Sequence, residues 1–237
     1  MKAQLVGCSI LTGLIWGAVV DVPVEAQPVS PDPAAQKILK ARPVVPLPNQ
    51  DYALCAGAIT FNFDKVTYAR CALNKNGNSI SATQKYNGGN IKTLNTQGNQ
   101  NGAFVMSTFS PPTLPDKYAA YSCKKTGAYA QCDGGICFES TVGKEFPGLG
   151  KLSNREIVCS CPIETSRNYH VWGPNECPTN SSTYDDICST GLEKKNSMDG
   201  KSLRVGNNGP VAVSKALVDY YNIQFKTNHT LKTCSRP

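Results

Sequence analysis

The sequence predicts a mainly β protein: two related disulfide-linked β-hairpin units in one compact domain, with a short C-terminal helix. Three observations carry that expectation. Short runs rich in β-branched and aromatic residues alternate with Gly- and Asn-rich stretches. A block of residues recurs inside the chain with its cysteines in register. The 237 residues include 11 cysteines, 20 glycines and 16 prolines, a loop-rich composition unlike that of a helical bundle. At 40% hydrophobic and 17% charged, the chain can fill a core, which excludes wholesale disorder.

The N-terminus reads as a secretory signal peptide over residues 1–26. Met1-Lys2 is a basic start, Leu5 to Val20 is almost wholly apolar, and Val24-Glu25-Ala26 places small residues at a cleavage site. A secreted or periplasmic location follows, with no membrane span after signal removal, because no second apolar run approaches the ~18–20 residues a span needs. Removal of the signal takes Cys8 with it and leaves an even cysteine count, which in an exported protein implies disulfides. Residues 27–50 carry Pro28, Pro31, Pro33, Pro43, Pro46 and Pro48 and read as a Pro-rich linker, with one helical turn at most over Lys37 to Lys40. Residues 51–237 form the cysteine-rich β domain.

Within that domain, Ala58 to Phe63 and Val66 to Leu73 read as a hairpin turning at Asp64-Lys65. Phe104 to Phe109, Tyr118 to Tyr121, Ile136 to Val142 and Glu156 to Ile163 read as further strands. Asn87 to Asn90 and Gly98 to Gly102 have turn and loop composition. Pro210 opens the helix, which presents Val213, Leu217 and Tyr221 on one face with Val218 beside them.

Tyr52 to Phe61 matches Tyr129 to Phe138 at six of ten positions without a gap, and Tyr68 to Leu73 aligns with Val158 to Ile163. The repeat units are about 51–73 and 128–163. The first unit has Thr60 and Ala69 where the second has Cys137 and Cys159. Two cysteines missing together mark a missing disulfide, so Cys137 pairs with Cys159. The remaining aligned cysteines then give Cys55–Cys71 and Cys132–Cys161. A four-thiolate zinc site is the weaker reading of the second unit, because its C-x4-C and C-x-C spacings are not those of zinc knuckles. For Cys123, Cys177, Cys188 and Cys234, the short separation favours Cys177–Cys188, leaving Cys123–Cys234.

The Tyr-Ala-x-Cys openings, the block Tyr129 to Phe138 and Cys159-Ser160-Cys161-Pro162-Ile163 resemble a family of exported bacterial cysteine-rich proteins with duplicated blocks of this kind. The likeness runs from about Asp51 to the C-terminus. It implies structural cysteines and brings no activity and no catalytic residue. It also implies a second cysteine pair in the first unit, from which Thr60 and Ala69 depart.

No catalytic constellation stands out. Gln131 to Phe138, with His170 and Asn175, has the residue types of a papain-like site. Its cysteine spacing is wrong, and an even cysteine count leaves no spare thiol. Ser122-Cys123-Lys124-Lys125 fits S-x-x-K but lacks its companion motifs. His170 reads as a packed or surface histidine. No metal-ligand, phosphate-loop or cofactor motif is present, so no metal and no cofactor are expected. The net charge of +7 is scattered rather than gathered in a basic-aromatic stripe, which speaks against nucleic acid and for weak attraction to anionic envelope polymers.

Two function classes follow. The first is a non-enzymatic binding or envelope-associated protein whose partner is another protein or an envelope polymer. The alternative is a secreted hydrolase of carbohydrate or peptide bonds, using two or more of Asp116, Asp133, Glu139, Glu145, Glu156 and Glu176 brought into one cleft. The expected binding surface is the Ser140 to Arg155 insertion. It accounts for most of the 13 residues by which the second unit exceeds the first between paired cysteines. Phe146 and Leu149 would form an apolar tip within a rim of Lys144, Lys151 and Arg155. The competing arrangement folds that tip back as a lid on the hairpin.

Overall fold

A computed structural model describes residues 33–64, 66–113, 118–188 and 203–237; the expected signal peptide lies outside them. The principal strands are β1 (Val45–Phe63), β2 (Val66–Ser81), β3 (Phe104–Met106), β4 (Tyr118–Cys123), β5 (Gly127–Ala130) and β6 (Ile136–Phe138). They continue with β7 (Glu156–Cys161), β8 (Ile163–Ser166), β9 (Tyr169–Pro174), β10 (Gly206–Asn208) and β11 (Thr233–Cys234). Helices are α1 (Pro33–Ala41), α2 (Ile91–Asn101), α3 (Ser181–Cys188) and α4 (Val211–Phe225). One sheet runs β1-β2-β7-β6-β3, a second runs β10-β9-β4-β11, and β5 with β8 forms a separate ribbon. The protein is mainly β, as the sequence predicts, and α4 is its C-terminal helix. No helix among the described residues is long and apolar enough to cross a membrane.

The two repeats meet through equivalent strands. β2 and β7 pair antiparallel with Ala69 opposite Cys159, its own counterpart in the repeat. On either side, Cys71 faces Ile157 and Thr67 faces Cys161, which makes the junction locally two-fold. Along β2 the side chains of Thr67, Ala69, Cys71 and Leu73 alternate inward, the period of a sheet with one buried face. The three disulfides read from the repeat are all present: Cys55–Cys71, Cys132–Cys161 and Cys137–Cys159. Cys137 lies directly across the ladder from Cys159, as Thr60 does from Ala69. All six sulfur-bearing residues are buried, and the sulfurs of Cys55, Cys132 and Cys161 lie within 4.8 Å of one another.

Four expectations are corrected. First, much of the segment read as a linker is folded: α1 carries a buried Ala35 and packs on α4, and β1 begins at Val45. Pro46 and Pro48 are tolerated there because β1 is an edge strand, where a missing N–H breaks no second ladder, and Leu47 between them is buried. Second, the Asn/Gly-rich stretch around Gly98 is helix α2. Asn90 caps it by accepting from Lys92 and Thr93 N–H, and Gly102 closes it in the left-handed conformation. Gly98 is required where α2 crosses β3, since a Cβ there would stand 2.3 Å from the Phe104 carbonyl oxygen.

Third, the last two disulfides are Cys123–Cys188 and Cys177–Cys234, not Cys177–Cys188 and Cys123–Cys234. The segment between Cys177 and Cys188 is no simple loop. Asn180 caps α3, whose Tyr184 and Ile187 pack among β4 and β9 residues and carry Cys188 to Cys123. Fourth, β6 stops at Phe138 in a short 3-10 turn, Glu139–Thr141. β9 was not anticipated. Its residues Tyr169 to Gly173 are buried without alternation, so no two-residue period marks it.

Candidate functional site

The Ser140 to Arg155 insertion is folded back on the first hairpin. It forms a small ribbon, Glu145–Phe146 against Gly150–Lys151. Leu149 is only 6% exposed, in a cluster with Phe61, Leu152 and Val158, and the half-buried Phe146 ring lies 5.3 Å from Tyr68. Arg70 ties the ribbon down by donating to the Leu149 carbonyl at 3.1 Å and to both Glu156 carboxylate oxygens at 2.7 Å. Lys144, Lys151 and Arg155 stay exposed, but the apolar tip they were expected to surround is spent on packing. The lid arrangement is the one the structure has.

Concave surface lies elsewhere. The larger cleft, about 910 Å³, opens between the turn after β4, helix α3 and the C-terminal tail. Its rim carries Lys124, Lys125 and Arg236, and its wall includes Tyr169 and Tyr184. Two disulfides, Cys123–Cys188 and Cys177–Cys234, hold those segments together. Tyr169 donates to the Cys188 carbonyl, and the Tyr184 hydroxyl lies 3.1 Å from the carbonyls of both Ser122 and Cys234. Asp185 is gripped by Arg236 through two bonds of 2.9 Å, which holds its carboxyl below the usual range.

A smaller cleft of about 360 Å³ is built from distant parts of the chain, including Arg42, Tyr129, Gln131, Asp133, Glu164 and Asn207. Asp133 Oδ2 accepts from the N–H groups of Ala82 and Thr83 at 2.9 Å and from the Thr83 hydroxyl at 3.1 Å. Its Oδ1 is shielded from water and has no hydrogen-bond partner. Burial pushes this acid up to about 6 despite those bonds. Burial, reinforced by the Glu164 carboxylate, pushes Tyr129 up to about 12, while Arg42 pulls it the other way. Glu164 faces Tyr129 across the β5/β8 ribbon.

Beneath lies a Ser–His contact. His170 Nδ1 is 2.9 Å from the Gly209 carbonyl, which can only accept, so Nδ1 carries the proton and Nε2 accepts from Ser214 Oγ at 2.5 Å. Both residues are 0% exposed, and burial lowers His170 to about 4, leaving it neutral at ordinary pH. No substrate reaches such a pair. It pins the first turn of α4 to β9.

Of the six acids considered for hydrolysis, the five among the described residues are dispersed in their roles. Glu156 is held down to about 2 by Arg70, Glu139 pairs with Lys75 at 3.4 Å, and Asp133 lines the smaller cleft. Glu145 lies in the folded-back ribbon, Glu176 is exposed just beyond β9, and Asp116 is outside the described residues. Sequence reasoning missed Glu164 and Arg42, neither of which sits in a motif. No family model, curated protein or solved structure matches the chain.

Proposed function

We propose that the chain is an exported, non-enzymatic binding protein, secreted or periplasmic, that holds an anionic envelope polymer in the larger cleft. The observation that carries this reading is the pair of rim cations Lys124 and Lys125 over a tyrosine wall, beside the Arg236–Asp185 ion pair, on segments tied by two disulfides. A rigid, positively rimmed groove attracts anionic segments by long-range field and then by contact. Export is supported by the signal-like N-terminus and by five disulfides, which persist in oxidising compartments. Membership of a cysteine-rich exported bacterial family belongs to the same proposal.

The test is retention of the mature protein on purified envelope fractions, compared with Lys124→Glu/Lys125→Glu. The double variant should lose binding by about tenfold or more, and added salt should mimic it. Equal retention of variant and parent would overturn the assignment. Turnover of generic glycosides or peptides, assayed in parallel, would replace it with the hydrolase reading.

A further inference from the structure

The smaller cleft holds features that a polymer-binding role at the larger one does not use. Its volume, about 360 Å³, is at the small end of the range for small-molecule sites. It is lined by opposite charges, the Arg42 guanidinium and the Glu164 carboxylate, with Glu164 directly across the ribbon from Tyr129. Arg42 spends Nη1 on the Asn208 carbonyl at 3.3 Å, and a guanidinium has further donors in its fork. Asp133 also lines the cleft, its Oδ2 held by the Ala82 and Thr83 N–H groups at 2.9 Å. Gln131 donates to Asn207 Oδ1 at 2.9 Å, fixing two amides between the charged groups. Val213 and Leu217 from α4 complete an apolar side.

We infer that the smaller cleft is a second binding site, built for a small zwitterion of the amino-acid or dipeptide type. Arg42 takes the ligand carboxylate in a forked, charge-assisted contact, and the exposed Glu164 carboxylate takes the ammonium. The apolar side accepts a modest side chain. A simple anion or a simple amine satisfies one half of this pattern and leaves the other repelled or unpaired.

Calorimetric titration of the mature full-length protein tests it, using single amino acids and dipeptides of both hands, with acetate, ethylamine and glucose as controls. At least one zwitterion should bind saturably at millimolar concentration or below, and the controls should bind about tenfold more weakly or not at all. Arg42→Gln and Glu164→Gln, both at partly or fully exposed positions, should each weaken that binding by about tenfold. Lys124→Glu/Lys125→Glu should leave it unchanged, which separates this site from the larger cleft. The inference fails if no zwitterion gives saturable heat. It fails equally if glucose binds as well as the zwitterions, or if both cleft variants bind like the parent.

Discussion

Asp133 and His170 are two buried titratable groups whose protonation pulls stability in opposite directions. His170 is near 4 in the folded protein against 6.5 in a free chain, so on acidification the unfolded state takes the proton first. Its contribution is therefore present above 6.5 and is lost as the pH falls toward 4. Asp133 is near 6 folded against 3.8 unfolded, so its contribution is full below 3.8 and is lost as the pH rises through 6. Each change amounts to roughly 3 kcal/mol at most, and the two windows overlap. The parent should consequently show a nearly level urea stability between pH 4 and 6.5. Asp133→Asn should lose stability on acidification across that range, by about 2–3 kcal/mol. His170→Gln should gain stability on acidification, whatever its absolute level. Three parallel curves would show that neither group is shifted.

At the scale of elements, the first hairpin is the second with one cystine taken out. Thr60 stands across from Ala69 as Cys137 stands across from Cys159, and the Thr60 hydroxyl is instead bonded to the Leu203 carbonyl. Thr60→Cys/Ala69→Cys should close a sixth disulfide, seen as an intact mass short by two hydrogens and no titratable thiol. Loop closure of this length stabilises by about 2–3 kcal/mol, offset by about 1 kcal/mol for the lost hydroxyl bond. Two free thiols in the purified variant would count against the equivalence. This equivalence is legible in the sequence because the duplication acts as an alignment within one chain. Other elements were not. Helix α2 is held by tertiary bonds rather than an apolar stripe: Asn95 is fully buried, donates to Gln50 and Asp51, and accepts from Met106 N–H. Its composition consequently looks like a loop. Missing α3 in turn misdirected Cys188, because a helix rather than proximity in sequence decides which thiol it meets. The clefts were illegible for a related reason. Arg42, Asp133 and Glu164 belong to a helix end, a turn and a ribbon that only the fold brings to one place.

For the whole molecule, the sulfur cluster at the repeat junction has a chemical implication. The Cys55 sulfur lies within 4.8 Å of sulfurs from both other cystines of the core, Cys132–Cys161 and Cys137–Cys159. A Cys55 thiolate can attack either neighbour, releasing one cysteine of that pair as a new thiol. Full reduction followed by reoxidation in glutathione buffer should yield isomers joining Cys55 to Cys132, Cys161 or Cys159. Peptide mapping of non-reduced digests would detect them, and their absence would show that the hairpins close before they meet. Added disulfide isomerase should convert the isomers to the native set. The same two-fold junction that gives the sheet its continuity offers each half a near-copy of its proper partner. Yield in the cell then depends on proofreading between look-alike halves, a sorting problem that closing more bonds cannot solve.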